Sequence, residues 1–148
     1  MKLNTMKDLF VDQLRDLYSA EDQLTKALPK MAQAATSSDL QKAFRDHLNE
    51  TQHQKQRLEQ IFSNLGMSPQ GETCQAMQGL IKEGEDIINT QADSTVKDAA
   101  LIAAAQRVEH YEMAGYGTVR TFADELGYSD AKDLLGQRST RKGRLTKS

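Results

Sequence analysis

The chain has 148 residues, of which 38% are hydrophobic and 27% are charged, and its formal net charge is −2. These values predict a single globular domain and exclude the collagen-like, mucin-like and wholly disordered classes. The chain contains no run of about 18 consecutive apolar residues, which a membrane span requires, and its start lacks the apolar segment of a signal peptide. We therefore expect a soluble, cytoplasmic protein with no membrane partner.

The first predicted helix runs from Thr5 to about Thr36. Thr5 and Asp8 indicate its start, because the hydroxyl and the carboxylate each satisfy a backbone N–H of the other residue. Apolar side chains then recur every three or four residues in a stripe that one glutamate interrupts. The stripe comprises Phe10, Leu14, Leu17, Glu21, Leu24, Leu28 and Met31. Pro29 lies inside this pattern, so we expect a kink or an early stop just before it.

The second predicted helix covers about residues 39–64, and Gly66 ends it. Its stripe comprises Leu40, Phe44, Leu48, Thr51, Leu58, Phe62 and Leu65. The third, at about residues 73–89, is shorter. It is also weaker, because Gly79 and Gly84 interrupt it at about 1 kcal/mol each relative to Ala.

The fourth predicted helix opens at Thr95, where Thr95 and Asp98 repeat the capping pattern, and continues to Leu126. Its stripe comprises Ile102, Gln106, Glu109, Met113, Tyr116 and Ala123. A fifth helix begins at Ser129 but has almost no length before Gly136. Together these helices predict an all-α fold, an antiparallel four-helix bundle with a truncated or altered last helix. Such a bundle leaves an apolar stripe of the first and fourth helices uncovered, which predicts a two-fold homodimer.

The charge is distributed unevenly along the chain. Residues 138–148 contain five basic side chains and no acidic one, so residues 1–137 hold 14 basic and 21 acidic side chains and carry a charge of −7. We expect residues 1–137 to form the bundle domain and residues 138–148 to be a disordered basic tail. Nucleic-acid binding over a broad surface requires clustered Lys and Arg, so we expect none except through the tail.

Two glutamates occupy stripe positions where leucine is expected. Glu21 lies midway along the first helix and Glu109 midway along the fourth. An inward carboxylate requires a proton, a cation or dense hydrogen bonding, because burying it unpaired costs several kcal/mol. We interpret both as candidate metal ligands. For Glu21 the alternatives are an edge position on a loosely packed stripe, or pairing with Arg107 or Lys26.

Two pairs of residues have the spacing of a dimetal site. Glu50 and His53 on the second helix match the Glu-x-x-His motif of carboxylate-bridged dimetal bundles, and Glu109 and Glu112 repeat the spacing with glutamate in place of histidine. Four carboxylates would neutralise two divalent ions, so the sequence predicts a site for two divalent metal ions. The predicted ligands are Glu21, Glu50, His53, Glu109 and Glu112.

Three residues compete for the nitrogen or oxygen ligand of the second helix. On a helical wheel centred on Phe44 and Leu48, His53 falls far from the apolar stripe. His47 and Gln54 lie closer to the stripe, so either one is an alternative to His53.

Four segments carry a resemblance to a known family. They are residues Tyr18–Glu21, His47–Thr51, Cys74–Leu80 and Gln106–Gly117. In this order they resemble the bacterial YciF/YciE stress-protein family, over about residues 5–135. The resemblance implies a ferritin-like, rubrerythrin-like bundle, a homodimer, a candidate dimetal centre and a link to the stress response. It implies Glu21, Glu50, Glu109 and Glu112 as first-choice ligands, and it favours Gln or His at the position of Gln54.

The end of the chain departs from the family pattern. After Gln137 the family continues with an acidic fifth helix, whereas this chain continues with basic residues. We hypothesise that a shift of reading frame produced this ending. If the basic ending is genuine, the fourth wall of the bundle must come from the third helix or from a partner chain.

Three classes of function fit these observations, and the weakest of them is a DNA-protecting mini-ferritin analogue that uses the basic tail. The leading hypothesis is a ferritin-like dimetal protein of the stress response, whose iron or manganese ions react with peroxide or dioxygen. The alternative is a non-enzymatic helical stress protein that acts through dimerisation or a partner surface. The sequence leaves open whether the protein is an enzyme.

Overall fold

The computed structural model describes residues 2–137, so the predicted basic tail lies outside the described residues. Five helices follow one another, and this part of the chain contains no strand. They are α1 (Met6–Ala34), α2 (Ser38–Leu65), α3 (Gln75–Ile88), α4 (Ser94–Glu125) and α5 (Ser129–Gly136). The predicted all-α fold is confirmed. None of the described helices combines the length and the apolar composition that a bilayer span requires.

Short polar side chains begin the two longest helices. As predicted, the Thr5 hydroxyl accepts a hydrogen bond from Asp8 N at 3.0 Å, and the Asp8 carboxylate accepts one from Thr5 N at 3.2 Å. The prediction that Thr95 caps α4 is wrong. Asp93 takes this position, because its carboxylate accepts hydrogen bonds from both Thr95 N and Val96 N.

Asp98 connects the start of α4 to the turn between α1 and α2. Its two carboxylate oxygens accept hydrogen bonds from Thr36 N and Ser37 N, both at 2.8 Å. These backbone N–H groups precede the first turn of α2 and have no partner within that helix. The Asp98 side chain therefore holds three helices together at one end of the bundle.

Pro29 does not end α1, which continues to Ala34. The expectation of an early stop is wrong because the residues on both sides of the proline are core residues. Leu28 before it and Met31 and Ala32 after it are all buried. Burial of these side chains offsets the loss of one helical hydrogen bond at the proline.

The first four helices run up, down, up and down. A short turn makes α2 antiparallel to α1, and α4 returns beside α1. α3 is short and packs against α1 and α4, whereas α5 packs against α2 and α4. The structure is therefore the predicted antiparallel bundle, with a short third helix and an eight-residue fifth helix.

Two separate apolar clusters form the core. We name them after a phenylalanine of α2 in each. The Phe44 cluster includes Leu24, Leu28, Phe44, Met77, Leu101, Ala105 and Val108. The Phe62 cluster includes Phe10, Leu14, Leu17, Leu58, Phe62, Val119 and Leu135. α3 covers the first cluster and α5 covers the second.

The buried face of α4 is broader than the predicted stripe, and part of it lies one residue earlier in the chain. Ile102, Gln106 and Met113 are only half-buried, although Glu109, Tyr116 and Ala123 are buried as predicted. The buried residues that the predicted stripe omits are Leu101, Ala104, Ala105, Val108, Glu112 and Val119, of which Glu112 was predicted separately as a ligand. α4 is packed against α1, α3 and α5, so more than one stripe of its surface is covered and hydrophobic periodicity does not define one inward face.

The expectation of an uncovered apolar stripe is also wrong for the described residues. α3 and α5 cover the apolar faces that α1 and α4 present, and the exposed large hydrophobic side chains are Leu3, Met6 and Val96. All three lie near the starts of helices rather than along a stripe.

Gly115 permits the close approach of α4 to α1. A Cβ atom at this position would lie 2.5 Å from Leu17 Cδ2, whereas a Cβ at Gly117 would meet no atom within 4 Å. Both glycines lie inside the same helix. The two positions therefore separate the effect of packing from the effect of helix propensity.

We expect Gly115→Ala to lower the free energy of unfolding by about 1–3 kcal/mol, because the new methyl group overpacks the contact with Leu17. Gly117→Ala is the matched control and should raise it by about 0.5–1 kcal/mol, because alanine is the better helix former. Urea denaturation followed by circular dichroism measures both. Equal stabilisation by the two substitutions would contradict the close approach.

Candidate functional site

A layer of polar side chains lies between the two apolar clusters, midway along the bundle. Its members, all buried, are Glu21 of α1, His47, Thr51 and Gln54 of α2, and Glu109 and Glu112 of α4. The hydroxyl of buried Tyr116 reaches this layer from α4. We call these seven residues the polar layer.

Helical spacing explains why α2 supplies three members of the layer. Residues Leu40, Phe44, His47, Thr51, Gln54 and Leu58 follow one another in steps of three or four and are all buried. Such steps keep side chains on one face of a helix. The central three are polar, so the inward face of α2 changes from apolar to polar and back to apolar along the helix.

Hydrogen bonds between side chains connect the helices within the layer. His47 Nε2 and Glu112 Oε1 lie 3.0 Å apart, and both side chains are at most 2% exposed. The Tyr116 hydroxyl donates to Glu21 Oε2 at 3.0 Å. The first bond joins α2 to α4, and the second joins α4 to α1, so the layer crosses the whole bundle.

Several polar atoms of α2 remain without a partner in this layer. His47 Nδ1, Thr51 Oγ1 and Gln54 Oε1 are buried, and none has a hydrogen-bond partner within the described part of the chain. Each such atom costs about 1–3 kcal/mol, and native proteins contain few of them. Three unsatisfied atoms on one helix face therefore indicate a site where polar groups are held ready for a ligand.

The layer contains three carboxyl groups and a single imidazole. Glu21, Glu109 and Glu112 are all buried, whereas the buried residues of the described chain include no lysine or arginine. His47 is the only buried side chain of the layer that is able to carry a positive charge. Compensation for three carboxylates must therefore come from protons, from His47 or from a bound cation.

The structure brings together three of the five predicted ligands. Glu21, Glu109 and Glu112 lie in the polar layer. Glu50 lies at its flank, where its side chain is 16% exposed and pairs with Arg57 at 3.4 Å. His53 is exposed on the outer side of α2 and is not brought to the other four.

The alternatives to His53 are the residues that point inward. His47 is 1% and Gln54 2% exposed. The Glu-x-x-His spacing selected His53, but the steps of three and four from Leu40 and Phe44 would have selected His47 and Gln54. The apolar stripe of α2 was therefore the better signal than the motif.

The side chains of the layer are not arranged around a common point. No group of three or more His, Cys, Asp or Glu side chains within residues 2–137 has the geometry to hold a metal ion. The carboxylates instead engage His47 and Tyr116. Metal binding therefore requires these side chains to exchange their present partners.

Two other tyrosines lie outside the layer. The Tyr18 hydroxyl donates to Glu59 at 2.7 Å, and burial, together with that carboxylate, raises the pKa of Tyr18 to about 12. The Tyr111 hydroxyl donates to Asp16 and contacts Cys74 Sγ, and burial again raises the pKa of Tyr111. Both are neutral phenols at neutral pH, and Tyr116 is the tyrosine of α4 that reaches Glu21.

Comparisons with known proteins agree on one family. Residues 5–142 match a family described as a domain of unknown function, DUF892. Protein YciF of Escherichia coli strain K12 is 47% identical over 136 residues, which are 91% of this chain and 82% of that protein.

Two solved structures are similar to this chain. YcfI from Rhodopseudomonas palustris, described provisionally as a structural protein, has a TM-score of 0.91 and 46% identity, covering 99% of this chain and 93% of that one. The E. coli stress protein YciF has a TM-score of 0.88 and 42% identity, covering 98% of this chain and 90% of that one.

The contact between His47 and Glu112 generates a stability prediction. We expect His47→Leu and Glu112→Leu each to lower the free energy of unfolding by about 3 kcal/mol, because each removes one partner of a buried pair. The double variant should lose less than the sum, because no charge is then left buried at this point. Urea denaturation of the four proteins gives the coupling energy.

Tyr116→Phe provides the comparison within the same layer. It removes the hydroxyl that donates to Glu21 and should lower the free energy of unfolding by about 1 kcal/mol.

The cycle of His47 and Glu112 has one contradicting outcome. If the losses of stability in the two single variants add up to that of the double variant, within about 0.5 kcal/mol, the two side chains do not interact.

Proposed function

This chain belongs to the DUF892 family, and we propose that it is a stress-response protein whose polar layer binds two divalent metal ions, iron or manganese. Its function would then be reaction with peroxide or dioxygen. The observation that carries the proposal is the set of buried, unsatisfied α2 atoms, His47 Nδ1, Thr51 Oγ1 and Gln54 Oε1, beside three buried carboxylates. E. coli YciF, to which the chain is similar, is described as a stress protein.

The types of donor atom support iron or manganese. Carboxylate oxygens suit manganese and other hard divalent ions, and imidazole nitrogen suits iron. Glu21, Glu109 and Glu112 would supply carboxylates, and His47 would supply a nitrogen. Glu50 at the flank would be the fourth carboxylate if it exchanged its contact with Arg57 for the ion.

Two divalent ions would neutralise four carboxylates. Binding of the ions would therefore offset the unfavourable free energy of burying ionised carboxylates in the polar layer. The Phe44 and Phe62 clusters exclude water on the two sides of the layer. Ion binding and fold stability are therefore expected to be coupled.

The chain's own residues would position and protonate the reactants. When bound, such a pair of ions would supply the electrons for reduction of peroxide or dioxygen. Tyr116 donates its proton toward Glu21 and fixes the orientation of that carboxylate. His47 faces Glu112 at 3.0 Å, and its second ring nitrogen, Nδ1, has no hydrogen-bond partner among the described residues, so it would be the nitrogen that contacts a reactant beside the site.

A non-enzymatic structural role is the second candidate. The observation that favours it is the description of YcfI, at 46% identity, as provisionally a structural protein. In that case the polar layer would serve only as a hydrogen-bonded core, with its carboxylates partly protonated. Metal content separates the two candidates.

We also propose a homodimer. The groove between α2 and α4 is covered by α5 only at the end where the Phe62 cluster lies, and α3 packs instead against α1 and α4. The half-buried side chains of Ala43 and Ile102 pack at the other end, against the Phe44 cluster. A second copy of the chain would complete the cover there.

The double variant with Glu21→Gln and Glu109→Gln should not bind Fe(II) or Mn(II), because each substitution removes one carboxylate of the layer. The helical content should be kept, and the metal-free protein should become more stable, because two buried charges are removed. Calorimetric titration and elemental analysis of protein purified without a metal-affinity tag measure the binding. Unchanged metal content in this variant would reject the site.

The matched control is Glu83→Gln combined with Glu125→Gln, which makes the same change of charge at two exposed glutamates. It should leave metal binding unchanged.

A second comparison sets His47→Ala against His53→Ala. We expect His47→Ala to weaken metal binding and His53→Ala, at an exposed position, to have no effect. The reverse result would restore the Glu-x-x-His motif as the ligand pair.

Sedimentation equilibrium at micromolar concentration, with and without Fe(II) or Mn(II), tests the dimer. We expect twice the mass of the 16.5 kDa chain under both conditions. A mass that doubles only with metal would locate the site near the interface. A monomer under both conditions would reject the dimer.

A further inference from the structure

Arg57 occupies an unusual position, on the inward face of α2. His47, Glu50, Gln54, Arg57 and Ile61 follow one another in steps of three and four residues, which keep side chains on one face of a helix. His47, Gln54 and Ile61 are at most 2% exposed. The side chains of Glu50 and Arg57, at 16% and 26%, are partly covered. A guanidinium group therefore lies on the face of α2 that supplies the polar layer.

The Arg57 side chain points back toward the layer. Its Nη1 atom lies 3.4 Å from Glu50 Oε1, although the two residues are seven positions apart, or about 10.5 Å along the helix axis. Side chains of a helix tilt toward its N-terminus, so the long Arg57 side chain reaches Glu50 by spanning the turn that contains Gln54. Gln54 Oε1 is one of the unsatisfied atoms of the layer. The guanidinium group is thus at the edge of the candidate site.

The ion pair with Arg57 holds Glu50 at the flank of the layer. The other three predicted carboxylate ligands are buried in the layer, whereas Glu50 contacts the guanidinium group instead. A partly exposed ion pair is weak, so a divalent ion is able to displace the guanidinium group from Glu50. Arg57 is therefore a cation of the chain itself, placed where a second metal ion would require a carboxylate.

The two ions of the proposed site would bind under different conditions. The first would find three buried carboxyl groups and the His47 imidazole. The second would also require Glu50 and would approach the positive charge of Arg57, which repels it. We propose that Arg57 is a positioning residue that holds Glu50 outside the layer until the second ion binds, so that the two ions bind in sequence and with unequal affinity. This inference rests on the proposed function and adds the regulation of that site.

Titration of the full chain with Mn(II) tests the order of binding. For the unaltered protein we expect two calorimetric phases. At one equivalent of Mn(II) we expect the paramagnetic resonance signal of isolated ions rather than the exchange-broadened signal of a coupled pair. Arg57→Gln should strengthen binding of the second ion several-fold, because Glu50 is then released and the positive charge is absent. The share of coupled pairs at one equivalent should rise accordingly.

Two further variants show whether the effect is specific to this ion pair. Arg45→Gln removes the same charge from an exposed position of α2 and should change neither phase. In a Glu50→Gln background, Arg57→Gln should give no gain in binding of the second ion, because the carboxylate that it would release is absent. An equal gain with and without Glu50, or an equal gain from Arg45→Gln, would overturn the assignment.

The outcomes separate this inference from the proposed function. Two Mn(II) ions bound with equal affinity by the unaltered chain would retain the metal site and overturn the role of Arg57, and this measurement requires no variant to fold. Unchanged or weaker binding of the second ion in Arg57→Gln would do the same. Absence of Mn(II) binding by the unaltered chain would reject the metal site, and the role of Arg57 with it.

Discussion

Burial of three carboxylates at the centre of the bundle is the constraint on which the rest of the structure depends. Glu21, Glu109 and Glu112 lie between two apolar clusters, and charges in such a position must be protonated, paired or bound to cations. His47 and Tyr116 meet two of them. The polar layer therefore divides the core into two halves. It also fixes the register in which the three long helices pack against one another.

The remaining architecture accommodates this layer. α1 approaches α4 closely through Gly115, and the Tyr116 hydroxyl, one residue further along, reaches Glu21. α3 and α5 cover opposite ends of the bundle, so neither supplies a buried polar residue to the layer. The two apolar clusters consequently contain most of the buried apolar surface that stabilises the fold, whereas the layer contains the residues of the candidate site.

The sequence by itself determined the all-α fold, the stripe of α1 with Glu21 in it, and the burial of Glu109, because each depends on local helical periodicity. Tertiary structure alone decided the full inward face of α4, where contacts on three sides mask the period, and therefore the burial of Val108 beside Glu109 and Glu112, the two carboxylates that their spacing had predicted as ligands. The apolar stripe of α2 already favoured His47 over His53, but tertiary structure decided that Glu112 is the partner of His47, since a three-residue motif does not report which side of a helix faces its neighbours. The contacts between helices settle that side, because a polar group becomes part of a site only where packing removes it from water.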